Sequence, residues 1–197
     1  MTTSRLEAFS DGVMAIIITI MVLELPVPHG TTFASIGESA NGFLTYVLSF
    51  VYIGIYWNNH HHMFQIVDRV NGRMLWANLH LLFWLSLFPL TTRWMDESDF
   101  SRDPVVLYGV NLLLAALAYF LLQRIIFRTE TAGPLLRQAV GRDLKGKGSP
   151  ALYLLGIGLA YLSPWLGLAL FAAVAVIWLV PDPRLERFIA QDRTGPA

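Results

Sequence analysis

The chain has 197 residues, of which 55% are hydrophobic, 13% aromatic and only 14% charged, against roughly 25% charged in an average soluble domain. Mean hydropathy is +0.52, an excess that has to face lipid, and a formal net charge of zero removes the general electrostatic case for nucleic acid. Cysteine is absent, so disulfides and thiolate metal sites are excluded.

An apolar stretch of about 20 residues crosses a hydrocarbon core of about 30 Å. The first such segment runs from about Leu6 to Leu25 and stops at Pro26 and Pro28. Glu7 and Asp11 occupy the place of a signal peptide's basic region, and no small-residue cleavage pattern follows Leu25, so this segment reads as a mature first helix. The second runs from about Gly42 to Phe64, the third from Met74 to Trp94 and the fourth from Pro104 to Phe127. A polar stretch from Arg128 to Pro150, rich in Arg, Lys and Gly, reads as a loop carrying a short surface helix at Leu135 to Leu144. The last apolar run, Ala151 to Val180, is either one overlong kinked span or two short ones broken at Ser163-Pro164.

The distribution of basic residues decides between those options. With alternate loops assigned to the cytoplasm, Arg5 precedes or opens the first segment, and Arg69 and Arg73 lie in the second loop. Arg124, Arg128, Arg137, Arg142, Lys145 and Lys147 flank or fill the fourth, and Arg184, Arg187 and Arg193 lie in the tail. Of the 14 basic residues, only Arg93 and Arg102 then fall outside, beside Asp96, Glu97, Asp99 and Asp103. Five spans would place the tail outside as well. The expected architecture is therefore all-α: a polytopic membrane protein with six transmembrane helices and both termini cytoplasmic. It forms a single domain over residues 1–197, with a first helix at about 5–25, a cytoplasmic loop at about 128–150 and a polar tail at about 181–197. No internal repeat or second domain is evident.

Polar groups inside spans are costly in lipid and mark pathways or interhelical bonds. The first helix is the richest in them, reading Arg5-x-x-x-Phe9-Ser10-Asp11-Gly12, then an apolar run interrupted by Thr19 and closed by Leu23-Glu24. This pattern closely resembles the first helix of the transmembrane protein 175 family of potassium-permeable channels. Tyr56-Trp57-x-x-His60-His61-x-x-Phe64 is similar to the end of that family's second helix. Trp76-Ala-Asn78-Leu79 with Leu87-Phe88-Pro89 is similar to its third. The motifs cover the first half of the chain, and the second half matches only in hydropathy and helix count. The resemblance implies a six-helix subunit of the prokaryotic type, set in the cell membrane, assembled as a homotetramer and permeable to potassium and other monovalent cations. No further cofactor is implied.

Arg5, Phe9, Gly12, Ile16, Thr19 and Leu23 recur at alternating spacings of four and three residues and so form one stripe on the first helix. If that stripe faces a fourfold axis, Ile16, Thr19 and Leu23 become stacked rings. An apolar ring gates by excluding water, and a hydroxyl ring partly replaces an ion's hydration shell. The resemblance implies that Ile16 is the narrowest point, with Gly12, Thr19 and Leu23 also lining the pore. The same spacing also describes an ordinary packing face, and it is the F-S-D match that favours the pore.

Asp11 lies about 100° from the stripe and should face neighbouring helices. Its candidate partners are Arg5, His61 and Asn78. Together with Phe9 and Ser10 these are assigned to a structural network holding the helix. Glu24 ends the helix at the outer mouth, either concentrating cations or simply solvated. Three consecutive histidines, His60 to His62, point about 100° apart and cannot converge on one metal ion from one helix. One of them is expected to pack inward. His80 is either an interhelical hydrogen bond or a pH-sensitive group.

Catalytic motifs of the G-x-S-x-G or H-E-x-x-H kind are absent, as are paired intramembrane aspartates, so an enzyme is not expected. A secondary transporter or a non-conducting scaffold are the alternatives to a channel. Without a T-V-G-Y-G element there is no carbonyl cage, and only a modest preference for potassium over sodium is expected.

Overall fold

A computed structural model of the protein describes residues 2–129 and 144–179. The described residues form α1 (Thr3–Leu23), a 3-10 helix (Phe33–Ser39), α2 (Ala40–Phe64), α3 (Gly72–Ser86), α4 (Phe88–Glu97), α5 (Arg102–Ile126), α6 (Leu144–Ala160) and α7 (Pro164–Leu179). No strand occurs among them beyond an isolated bridge between Thr2 and Arg69. The tail from residue 181 and the surface helix expected at Leu135 to Leu144 lie outside the described residues, Leu144 excepted.

Apolar sequences that meet lipid must satisfy their backbone internally, and helices do this within one segment. Among the described residues, four segments are long and apolar enough to cross a membrane: Thr3–Leu23, Ala40–Phe64, Gly72–Glu97 and Arg102–Ile126. The third is not one continuous helix. Pro89 has no N–H to give to the preceding turn, so the helix breaks at Leu87 (φ −86°, ψ −6°) and restarts as α4 with Pro89 in its first turn. The Asn71 side chain caps α3 by accepting from Met74 N at 3.0 Å. In α5, Asp103 stands in the first turn and Arg124 in the last, the arrangement the helix dipole favours. The run from Ala151 to Val180 is broken, as one of the two expected options has it: α6 ends at Ala160, and Pro164 opens α7 after a three-residue turn.

α5, α6 and α7 pack closely around one ring. The Phe171 ring on α7 sits where Gly109 of α5 and Gly156 of α6 carry no Cβ, and a methyl group at either position would run into it. Tyr52 of α2 donates to Phe171 O at 2.6 Å, tying α2 to the same knot. Between α4 and α5, Asp99 and Phe100 hold positive φ of 49° and 57°. The strain is offset by burial of Phe100, whose ring packs 4.7 Å from that of Trp165. The first helix packs mainly on α2, α3 and α4.

Candidate functional site

Two faces of α1 have opposite fates. Leu6, Ser10, Met14, Ile17 and Met21 are buried against the neighbouring helices. Arg5, Phe9, Gly12, Ile16, Thr19 and Leu23 are all exposed. Ile16 is 60% exposed, Leu23 78% and Phe9 51%, large values for apolar side chains, and the missing Cβ of Gly12 would meet nothing within 4 Å. The Thr19 hydroxyl is occupied by its own helix, donating to Ala15 O at 2.8 Å. An oxygen lone pair remains free to accept or to coordinate.

Behind this face lies a buried chain of hydrogen bonds across three helices. Ser10 Oγ donates to Leu6 O at 2.9 Å and accepts from Asn78 Nδ2 at 2.9 Å, and Asn78 Oδ1 lies 2.7 Å from His60 Nε2. Because the Asn78 amide nitrogen is given to Ser10, its oxygen accepts, and His60 carries a proton on Nε2. All three residues are almost fully buried. The chain joins α1 to α3 and α3 to α2 at the depth where α1 turns from polar to apolar.

Four members assigned from sequence to this network stand outside the buried chain: Arg5, Asp11, His61 and Phe9, the last 51% exposed on the stripe. The inward histidine is His60, not His61: α2 buries Ser49, Tyr52, Tyr56 and His60 at helical spacing, and His61 is rotated about 100° from that line. His61 instead stacks on Trp57 with ring centroids 6.0 Å apart, lies 2.8 Å from Gln65 Nε2 and 3.7 Å from Glu7 Oε1. Arg5 is exposed and joins no hydrogen bond or ion pair of the network among the described residues. Asp11 is half-buried and accepts from Trp57 Nε1 at 3.0 Å, so none of Arg5, His61 and Asn78 is its partner. Trp57 and His60 are the residues sequence reasoning passed over. The signal was present, since His60 continues the Ser49, Tyr52, Tyr56 spacing and Trp57 lies three residues before it.

At the other end of α1, Glu24 lies 3.9 Å from Arg93 Nη1, and Arg93 Nε donates to Glu97 at 2.7 Å. The carboxylate is thereby leaned toward α4. Among the described residues, His80 makes no bond between helices. It accepts from Trp84 Nε1 at 2.9 Å, one turn along α3, on an exposed face. Among the described residues, no three His, Asp or Glu side chains gather as a metal site would require.

The family model described as endosomal/lysosomal potassium channel TMEM175 matches residues 5–89, which carry α1 and the whole buried chain. A potassium channel of Chryseobacterium is 50% identical over 98% of this chain and 100% of its own length. A potassium channel of Streptomyces collinus is 32% identical over 93% of this chain and 96% of its own. The crystal structure of a lysosomal potassium-selective channel TMEM175 homolog from Chamaesiphon minutus superposes with a TM-score of 0.74 at 28% identity, covering 90% of this chain and 96% of that one. The chain belongs to the TMEM175 family.

Proposed function

We propose that the protein is a potassium-permeable cation channel in which copies of α1 surround a common axis. The carrying observation is the exposed stripe of α1, with Ile16, Thr19 and Leu23 on one side and a fully packed face on the other. One such helix encloses nothing, so conduction requires an oligomer, and a cyclic homotetramer gives four equivalent stripes. In that assembly Ile16 forms an apolar constriction, Thr19 a hydroxyl ring one turn further and Leu23 the last ring before Glu24. Side-chain rings supply few coordinating oxygens, so the preference for potassium over sodium is modest. Asn78 and His60 act through Ser10, holding the stripe in register without touching an ion. The subunit is a single six-span domain in the cell membrane, with α6 and α7 as the last two spans and both termini on the cytoplasmic side. The basic residues support this topology.

The test is ion flux through purified protein in liposomes under potassium and sodium gradients. Ile16→Asn is expected to wet the constriction, raise flux and weaken potassium preference. Thr19→Ala is expected to reduce preference with less effect on opening. Unchanged flux and preference in both, at normal expression, would place the pore away from this stripe. Saturable uptake coupled to a second solute would mark a carrier instead.

A further inference from the structure

Between α2, α5, α6 and α7, near the end of α5 that carries Arg124, lies a cavity of about 40 Å³, room for about three waters. Its floor is buried and polar, with Tyr56, Gln123 and Ser149. Its walls are half-exposed and apolar or aromatic, with Ile55, Phe120 and Trp178. These walls belong to apolar helices, so the rim of the cavity meets lipid at the level of Arg124.

The floor is only partly satisfied by the protein. Ser149 Oγ donates to Lys145 O at 2.8 Å and accepts from Trp178 Nε1 at 2.8 Å. Gln123 is 5% exposed and Tyr56 8%. Neither the Gln123 amide nor the Tyr56 hydroxyl has a hydrogen-bond partner among the described residues, yet neither is sealed from open space. Burying such groups is costly unless something polar meets them. Together they offer three N–H or O–H donors and two oxygen acceptors.

The charge beside the cavity has one sign. The Arg124 guanidinium lies over the Phe120 wall, its carbon 4.6 Å from the ring centroid. Gly146 lines the cavity and stands between Lys145 and Lys147 in the sequence. No carboxylate lines the cavity among the described residues. Aromatic walls would also suit a quaternary ammonium, but cations at the mouth repel one.

We propose that this cavity binds an anionic phospholipid with a hydroxylated head. The head enters and hydrogen-bonds to Gln123 and Tyr56, the phosphate pairs with Arg124 at the rim, and the acyl chains lie along Ile55, Phe120 and Trp178. A guanidinium can give two parallel N–H groups to a phosphate, and basic pockets between spans on the cytoplasmic side suit anionic headgroups. A soluble phosphate would leave the apolar walls uncovered, so the source is lipid. Only the choice of the cytoplasmic leaflet rests on the topology proposed above.

Delipidated full-length protein in a neutral detergent is titrated with phosphatidylglycerol, with phosphatidylcholine of the same acyl chains, and with soluble glycerol phosphate as competitor. Bound lipid is counted by native mass spectrometry. Phosphatidylglycerol is expected to bind at least about tenfold more tightly than phosphatidylcholine. Gln123→Leu and Tyr56→Phe should each weaken it about threefold to tenfold, and Arg124→Gln about fivefold. Arg73→Gln, which removes an exposed cation of α3, should leave it unchanged. Tyr56→Phe removes a hydroxyl that holds nothing in the protein, so it serves should Gln123→Leu not fold. Retention of neither lipid, equal or tighter binding of phosphatidylcholine, or displacement by an equal concentration of glycerol phosphate would overturn the site. So would unchanged binding in the floor variants, or an Arg73→Gln loss as large as that of Arg124→Gln. No ion flux enters this test: failure to conduct potassium would sink the proposed function and leave the lipid site standing.

Discussion

Replacing Asn78 by Leu keeps the side-chain volume and removes both of its bonds. Ser10 keeps its bond to Leu6 O, so little is lost there. His60 is different. Its Nδ1 already lacks a partner, and without Asn78 Oδ1 the Nε2–H is stranded as well. A stranded buried donor costs about 1–3 kcal/mol, and interhelical bonds in membranes contribute on average about 0.6 kcal/mol each. Asn78→Leu should therefore destabilise the protein by about 2–4 kcal/mol. His60→Phe, which strands only an oxygen, should cost about 1–2 kcal/mol. In the double variant both partners are apolar, and the loss should fall short of the sum by about 1–2 kcal/mol. The assay is thermal unfolding of the four proteins in one detergent, followed by fluorescence and by the size-exclusion profile. Additivity within about 0.5 kcal/mol would refute the idea that these two residues stabilise α1 as a pair.

Further outcomes follow from the same contacts. Gly156→Ala would push a methyl group into the Phe171 ring and should cost about 1–3 kcal/mol; Gly148→Ala, with nothing within 4 Å, is the neutral control in the same melts. Gly12→Leu meets open space in the protomer, so protomer stability should hold while potassium flux falls sharply, as measured in liposomes. Arg93→Gln removes an exposed pair with Glu97 and a longer one with Glu24; its melting point should move by less than the equivalent of about 1 kcal/mol, at low and high salt alike.

The helices were legible because lipid imposes a length and a composition on them. The four long spans could be read from hydropathy alone, whereas the break at Ser163-Pro164 also needed the distribution of basic residues to choose two short helices over one kinked one. The kink at Leu87 was harder, since a single proline within an apolar run leaves the hydropathy signal continuous. On α1, spacing sufficed to group Arg5, Phe9, Gly12, Ile16, Thr19 and Leu23, because they lie on one helix whose geometry is fixed. The supporting network required knowing which face α2 turns toward α1. Three adjacent histidines look alike in sequence, and only the buried line through Ser49, Tyr52 and Tyr56 picks out His60. Charge suggested Arg5 and His61 as companions for Asp11, whereas packing supplied the indole of Trp57.

If α6 and α7 are the last two spans, as proposed, the length of their described apolar parts bears on the surrounding bilayer. α7 is described from Pro164 to Leu179, and the apolar part of α6 begins at Ala151 and ends at Ala160. At about 1.5 Å per residue a helix of that length falls several ångströms short of a hydrocarbon layer of about 30 Å. The Phe171 knot prevents either helix from sliding to compensate. In the proposed fourfold assembly, with α6 and α7 as the last two spans, lipid next to this corner of the subunit would have to thin at four points on the rim. Deforming the bilayer costs a fraction of a kcal/mol per ångström of mismatch, so acyl-chain length becomes a variable to which the protein's partitioning between membranes responds.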